Sequence, residues 1–381
     1  MRRSFSDKYV MLSAGEASGD FHGANVVKVL KKKAPDLHFI GIGGDALKEQ
    51  GVQILVDSAK LSVVGITEVF TRLPYLLKAV KAAKMALRQF KPELLILIDF
   101  PDFNLFLAGI AKKLKIPVLY YISPQVWAWR SGRVKKIRRL VDHMAVILPF
   151  EADFYRKYGV KTTFVGHPLL DSVYPISFST FENNLSEPFV LGLLPGSRDR
   201  EISNHLPVML EAAKKLKESF TDLKVLVSLA SSVNRNVVEQ IMEPYQGTLD
   251  VKLVEGGAVQ TFKRSAILVA VSGTVTLEAA LSGIPMVIIY RVSPLSYRLG
   301  KALIRVKFIS LVNLIARRQI LPELIQQEAS PGKIAANVEK MLKDSKQLIR
   351  IHQQLFRIRN AFGQPGASGR VADIALDMIK K

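Results

Sequence analysis

Three groups of residues in this 381-residue chain combine types and spacings that support chemistry. In the first, the small residues Ser272-Gly273-Thr274 open a segment of helical character, and Glu278 follows Thr274 by four positions. The unpaired N–H groups and positive dipole end of such a helix hold a phosphate well, and Gly273 lets a ligand approach the backbone. Thr274 and Glu278 then share one helix face, where a carboxylate one turn in accepts hydrogen bonds from a ribose diol. The group fits a nucleoside diphosphate; it equally fits an ordinary strand-to-helix turn with a solvated glutamate. The second group, Gly196-Ser197-Arg198 with Glu201, adds backbone donors and a guanidinium suited to a diphosphate. The third, Asp99-Phe100-Pro101-Asp102-Phe103-Asn104, follows the apolar run Leu94 to Ile98. A carboxylate at the end of a buried strand in partly apolar surroundings has its pKa raised toward a useful general-base value. Asp99 fits that role better than Asp102, which is placed to cap a helix running from Phe103 to Leu114.

Two further stretches are rich in donors. Ser13-Ala14-Gly15-Glu16-Ala17-Ser18-Gly19-Asp20 separates a strand over Tyr9 to Leu12 from a helix over Phe21 to Lys33. Its glycines and serines predict a flexible loop at the carboxyl edge of a sheet, where open α/β sheets bind ligands; Asp20 could instead cap the helix. Ser123-Pro124-Gln125-Val126-Trp127-Ala128-Trp129-Arg130 contains both tryptophans, and Arg133, Lys135, Lys136, Arg138 and Arg139 follow. Aromatic faces beside cations grip a sugar and a phosphate or sit at a lipid interface, with a structural role for the tryptophans as the alternative. Tyr290-Arg291 places one more cation at a strand end, and Asn313 is expected in a loop. Gly41-Ile42-Gly43-Gly44-Asp45-Ala46 matches a loose dinucleotide pattern, but the helix after it reaches only to Gln50 before Gly51. That is too short for nicotinamide or flavin binding.

Short apolar runs alternating with helical stretches must position these groups. Strands are expected over Tyr9–Leu12, Leu94–Ile98, Val118–Ile122, His143–Leu148 and near Thr163. The pattern restarts with Phe189–Leu194, then near Val225–Leu229, Val251–Leu253, Ile267–Val271 and Met286–Tyr290. Continuous apolar runs of this kind belong to a buried parallel sheet, and Gly283 and Pro285 punctuate the last β-α-β unit. Ser172 to Pro188 loses periodicity and collects Ser, Asn and Pro, which places a boundary there. The predicted organisation is an N-terminal domain over 1–172, a linker over 173–188, a second domain over 189–345 and C-terminal helices over 346–381 that could cross back to the first domain. The length suits two cores.

The hydrophobic content of 49% is high for a soluble enzyme, and the mean hydropathy is +0.18. Leu61 to Val80 concentrates it: Val63, Val64, Ile66, Val69, Phe70, Leu73, Leu76 and Leu77 are too many for one buried stripe. Flanked by Arg72, Lys78, Lys81 and Lys84, an exposed remainder fits insertion into an anionic bilayer surface; a wholly buried helix is the alternative. No uncharged apolar run of about 18 residues is present to span a membrane. The first residues lack the apolar core and cleavage site of a signal peptide, so a cytoplasmic location is expected. The net charge of +21 calls for an anionic partner, and the absence of zinc-finger spacing or an RNP-like motif disfavours nucleic acid. With no cysteine, disulfides and thiolate metal sites are excluded.

The motifs Ala14-Gly15-Glu16-Ala17-Ser18-Gly19-Asp20, Asp99-Phe100-Pro101-Asp102-Phe103-Asn104, Ser123-Pro124-Gln125-Val126-Trp127-Ala128-Trp129-Arg130, Leu194-Pro195-Gly196-Ser197-Arg198 and Ser272-Gly273-Thr274, in this order, resemble those of lipid-A-disaccharide synthases. The tryptophan segment is the most specific of them. The resemblance implies an α/β fold of the GT-B type, two Rossmann-like doubly wound parallel-sheet domains facing a central cleft. It implies an inverting transfer of 2,3-diacylglucosamine from its UDP derivative to the 6-hydroxyl of 2,3-diacylglucosamine 1-phosphate (lipid X), in lipid A biosynthesis. Asp99 would be the base. Gly196, Ser197, Arg198, Glu201, Ser272, Gly273, Thr274, Glu278, Arg291 and Asn313 would face the donor. Gly15, Glu16, Ser18, Gly19, Asp102, Asn104, Gln125, Trp127 and Arg130 would face the acceptor. No cofactor or metal is implied, and no D-x-D triplet occurs. The family works at the cytoplasmic face of the inner membrane, and a homodimer is a family expectation. The chain departs from the family pattern at Val312, where proline is usual, and near Arg317, where glycine is usual. Other readings are a different GT-B enzyme acting on UDP-N-acetylglucosamine, or a basic membrane- or RNA-binding protein without enzymatic activity.

Overall fold

The computed structural model describes residues 8–58, 66–129, 131–292, 297 and 307–380. The chain forms two compact units, Met1–Asp171 with Phe362–Lys381, and Ser172–Ala361. In the first, β1 (Lys8–Ala14), β2 (Leu37–Gly43), β3 (Gln53–Asp57), β4 (Leu94–Ile98), β5 (Val118–Tyr121), β6 (His143–Val146) and β7 (Thr162–Phe164) form a sheet of order β3-β2-β1-β4-β5-β6-β7. Every pairing in it is parallel. In the second, β8 (Val190–Leu194), β9 (Lys224–Ser228), β10 (Asp250–Val254), β11 (Ile267–Val271), β12 (Met286–Tyr290) and β13 (Glu323–Ile325) form a parallel sheet of order β10-β9-β8-β11-β12-β13. Each sheet is doubly wound. The strand order reverses between β1 and β4 and between β8 and β11, and the carboxyl ends at such a reversal are where this architecture holds ligands.

Residues of β4 explain the layering. All five are fully buried, and a period of two sends them to opposite faces. Leu95 and Leu97 pack with Ala79, Ala83 and Leu87 of the helix Ile66–Phe90 and Leu105 and Ala108 of the helix Pro101–Lys113. Leu94, Ile96 and Ile98 pack with Val26, Val27 and Leu30 of the helix Ala17–Lys33 and Val371, Ala372 and Ala375 of the helix Ala367–Ile379. Burial of each such side chain contributes roughly 1.5–3 kcal/mol, so this run fixes where Asp99 emerges.

Three strands lie beyond those expected from sequence. β2 carries glycines that look like a turn, but a Cβ on Gly41 would fall 2.3 Å from the Leu12 carbonyl oxygen, so glycine is required by close strand approach. β3 and β13 are short edge strands with only one buried residue, Leu324, between them, which weakens the apolar signal. The segment 173–188, expected as a linker, packs within the second unit. Phe181 is fully buried there and stacks on His352 with ring centroids 4.3 Å apart. Helix Ser345–Ala361 also belongs to the second unit, whereas Phe362–Lys381 belongs to the first. Among the described residues no helix is long and apolar enough to cross a membrane.

Candidate active site

At the first strand reversal, Asp99 and Phe100 leave β4 with φ of 46° and 47°, left-handed conformations that non-glycine residues adopt only under constraint. Hydrogen bonds supply it. The Asp99 carbonyl accepts from Asn104 Nδ2 and from the Tyr120 hydroxyl, each at 2.7 Å. Asn104, itself fully buried, also donates to the Ile98 carbonyl at 3.1 Å and accepts from Ser13 Oγ at 2.7 Å. A Cβ on Gly15 would lie 2.2 Å from the Phe100 ring, so glycine is what admits that ring against the end of β1. Burial first, and the Glu16 carboxylate second, raise the Asp99 carboxyl to about 6, while the Phe100 amide pulls it down. A carboxyl of this pKa is largely ionised at neutrality yet more basic than an ordinary aspartate, as a general base requires.

The helix after β1 begins at Ala17, not Phe21. Ser18, Gly19 and Asp20 therefore sit in its first turn, and the flexible loop expected over this motif shrinks to Gly15 and Glu16. Asp20 caps a different helix: its carboxylate accepts from Gly44 N at 2.6 Å and Ala46 N at 2.9 Å, at the start of Asp45–Glu49. That helix start, the one in the loose dinucleotide pattern, is thus filled by the chain's own anion. Asp102 is not a cap either. The helix begins at Pro101 with Phe100 as its capping residue and no side-chain bond, and Asp102 pairs with Arg133 at 2.5 Å.

The tryptophan segment follows β5. Ser123 Oγ and Trp127 Nε1 donate to Glu151 Oε1 at 2.7 and 3.0 Å, and the Tyr155 hydroxyl donates to the Pro124 carbonyl at 3.0 Å. Trp127 also meets Phe150 edge to face at 4.9 Å. Gln125 is exposed, and Arg130 lies outside the described residues.

In the second unit, the carboxyl ends of β8, β9, β11 and β12 border a cavity of about 720 Å3. Gly196, Ser197, Arg198, Glu201, Ser272, Gly273, Thr274 and Glu278 all line it, together with Ser228, Ser231, Ser232, Gly257 and Tyr290. Glu201 Oε2 accepts from Ser197 N at 2.8 Å, and Arg198 Nη1 donates to Glu201 Oε1 at 2.9 Å. Gly196 has φ 130°, and a Cβ there would fall 2.6 Å from Glu201, so this turn needs glycine. Gly273 differs: its backbone is extended, and a Cβ would meet nothing nearer than the Val271 carbonyl oxygen at 4.0 Å. The fold itself does not require glycine there, and the space it leaves opens at the start of helix Thr274–Ser282. Burial raises the Glu278 carboxyl above its ordinary value.

The family model for lipid-A-disaccharide synthetase matches residues 10–374. The lipid-A-disaccharide synthase of Geobacter sulfurreducens is 44% identical over 377 residues, covering 98% of this chain and 97% of that one. That of Syntrophus aciditrophicus is 45% identical over 381 residues, covering 99% of each. This chain belongs to the lipid-A-disaccharide synthase family. It is therefore a glycosyltransferase. Among solved structures, MurG of Acinetobacter baumannii aligns with a TM-score of 0.64 at 16% identity, over 97% of this chain and 99% of that one. The UDP-GlcNAc 2-epimerase of Neisseria meningitidis, bound to UDP-GlcNAc, aligns with a TM-score of 0.61 at 12% identity, over 97% and 100%. These likenesses carry the fold, the GT-B class.

Within this member of the lipid-A-disaccharide synthase family, several side chains expected at the ligands are engaged elsewhere. Asn104 is fully buried, and its carboxamide is taken up by Ser13 Oγ and by the main chain at Ile98 and Asp99. Asn313 stands on the helix Leu311–Ala316, not in a loop. It is fully buried; its Nδ2 donates to the Leu321 carbonyl and Glu323 Oε1, and its Oδ1 accepts from Ile320 N and Leu321 N. It does not line the cavity, and neither does Arg291, whose amide is held by His205 Nε2 at 3.2 Å. Val63 and Val64 lie outside the described residues. Ile66, Val69, Phe70 and Leu73 fall on the helix Ile66–Phe90, where Leu76 is half-buried and Leu77 is exposed. Sequence reasoning missed Glu151; its one signal was an acid three residues after Leu148, in the first turn of a helix opened by Pro149.

Proposed function

We propose that this chain transfers 2,3-diacylglucosamine from UDP-2,3-diacylglucosamine to the 6-hydroxyl of 2,3-diacylglucosamine 1-phosphate, giving a β-1,6-linked disaccharide 1-phosphate and UDP. An α-linked donor and a β-linked product require inversion at the anomeric carbon, hence a single in-line displacement. Asp99 takes the proton of the acceptor hydroxyl as its oxygen attacks C1, and the C1–O bond to UDP breaks with the electron pair leaving on the diphosphate. The carrying observation is the Asp99 carboxyl raised to about 6 on a left-handed turn at the strand reversal. Ser197 and Arg198, with the backbone of Ser272, Gly273 and Thr274, stabilise the charge that develops on the leaving diphosphate. Glu201 keeps Arg198 oriented before substrate arrives, and Glu278 takes the ribose diol. Glu16 and the Gln125–Trp127 loop serve the acceptor.

Acylated substrates call for a membrane surface, and we place this chain peripherally on the cytoplasmic face of an anionic inner membrane. Support for that comes from exposed Tyr75, Leu77, Met85 and Phe106 beside Lys78, Lys81 and Lys84. A groove of about 660 Å3 between three helices adds an apolar floor of Val80, Leu105 and Ile110 under Lys84, Arg88, Lys113 and Arg139. The test is a product assay in detergent with the acylated donor and acceptor, run beside unacylated UDP-N-acetylglucosamine. Disaccharide 1-phosphate and UDP are expected from the acylated pair alone; turnover of only the unacylated sugar nucleotide would replace this reading with another GT-B reaction.

A further inference from the structure

Glu151 is a buried carboxylate that the transfer reaction does not use, only 1% exposed, in the first turn of the helix Pro149–Lys157. Its surroundings are unusual for a structural acid. Ser123 Oγ and Trp127 Nε1 both donate to Oε1, at 2.7 and 3.0 Å, and Leu148 N donates to Oε2 at 3.1 Å. Two of these donors belong to the loop that follows β5. The adjacent strand is β4, which Asp99 directly follows, and Tyr120 of β5 itself bonds the Asp99 carbonyl. A change in that loop is therefore one strand away from the base.

From this geometry we infer that Glu151 is a positioning residue: its ionised carboxylate holds the Ser123–Trp127 loop, and protonating it releases that loop and weakens acceptor binding. Three donors converge on two oxygens, an arrangement that only a carboxylate satisfies in full. A proton on Oε1 displaces Ser123 or Trp127, and a proton on Oε2 points at the Leu148 amide. Burial opposes ionisation and raises the group to about 7, with the hydrogen bonds from Ser123, Trp127, Leu148 and Ile147 pulling it down. The two tendencies balance near neutrality. Among the described residues the groups facing the carboxylate are the uncharged Ser123, Trp127 and backbone amides, with the Tyr155 phenol one turn on, which burial pushes further into its protonated form. The switch therefore belongs to Glu151 itself. Its role in acceptor binding rests on the transfer reaction proposed above, whereas its hold on the loop does not.

Trp127 bonds Glu151 directly and the chain's other tryptophan, Trp129, lies two residues on, so intrinsic fluorescence reports on this segment. Emission of the full-length protein, measured from pH 5 to 9, is expected to titrate with a midpoint near 7. It should lose the transition in Glu151→Gln and keep it in Asp99→Asn. Ser123→Ala removes one donor to the ionised form, and its midpoint is expected to rise by about one pH unit. With lipid substrates, the acceptor KM should climb below the same midpoint while the donor KM does not. Emission that is flat in the wild type, an unshifted midpoint in Ser123→Ala, or an unchanged transition in folded Glu151→Gln overturns the inference; if Glu151→Gln does not fold, the Ser123→Ala shift decides. A fluorescence titration as expected, with no turnover of the acylated substrates, keeps the loop switch and rejects the reaction instead.

Discussion

The Ser13 hydroxyl donates to the Asn104 carboxamide oxygen at 2.7 Å, joining residues 91 positions apart across the strand reversal of the first sheet. The same carboxamide donates to the Ile98 and Asp99 carbonyls, at 3.1 and 2.7 Å. One buried side chain thus ties the end of β1 to the turn that presents Asp99. Turns of this kind cost about 1–3 kcal/mol in strain and persist only where neighbours over-determine them.

Asn104→Ala removes that clamp and leaves the Ser13 hydroxyl and the Ile98 carbonyl without their buried partner. A loss of about 2–4 kcal/mol is expected in urea unfolding, from an unsatisfied network in a dry site. In protein that remains folded, kcat should fall roughly 100-fold as the base is misplaced, with a much smaller change in donor KM.

Two glycines of the second unit should part company when changed to alanine. Gly196→Ala forces a Cβ against Glu201 at a φ of 130° and should lower stability as well as activity. Gly273→Ala meets no protein atom closer than 4.0 Å and keeps an extended backbone, so its melting temperature should stay within a degree or two of wild type. Its affinity for UDP in calorimetry should nevertheless drop at least tenfold, about 1.4 kcal/mol, if a diphosphate occupies that space. Unchanged UDP affinity would remove the turn from the donor site.

Glu16 raises the Asp99 carboxyl by like-charge repulsion. Glu16→Gln should therefore lower the Asp99 pKa, and the acid limb of kcat/KM, expected near 6 in the wild type, should move to lower pH. A limb that stays in place would mean that another group controls it.

Much of this arrangement is legible in the sequence, and the parts that are not have physical reasons. β4, β11 and β12 are continuous apolar runs with bounds readable to the residue, because both faces of a parallel sheet are buried. Most of the second-unit motif residues do line one cavity, because glycine, serine and arginine at strand ends have few other uses. From sequence Asn104 and Asn313 look like ligand contacts, because an isolated polar residue in a motif looks the same whether it faces a ligand or holds main chain. Only the tertiary partners, such as Ser13 and Leu321, tell the two apart. Asp20 illustrates the same limit: its cap lies on another helix, 24 residues away, and spacing along its own helix cannot reveal it.

Arg317 ends its helix at φ 54°, a left-handed conformation where glycine carries no steric penalty. An arginine at this position therefore carries a conformational cost. Arg317→Gly should stabilise the protein by about 0.5–1 kcal/mol in denaturant unfolding, without changing turnover. Destabilisation would mean that the arginine side chain makes contacts that outweigh the strain.

The central claim is that Asp99 is the base of an inverting transfer between acylated sugars, and the most direct test compares product formation by wild type and Asp99→Asn. Folding is not expected to obscure it. A carboxyl whose pKa is raised on folding contributes stability below its unfolded value of about 4 and loses it as pH rises through about 6, so at pH 8 the variant should be at least as stable as the wild type. With UDP-2,3-diacylglucosamine and 2,3-diacylglucosamine 1-phosphate at pH 8, wild type should form the disaccharide 1-phosphate and folded Asp99→Asn should be slower by roughly 100- to 10,000-fold. A folded variant that retains most of the wild-type rate would contradict the assignment of the base, and a wild-type protein that forms no disaccharide would contradict the reaction.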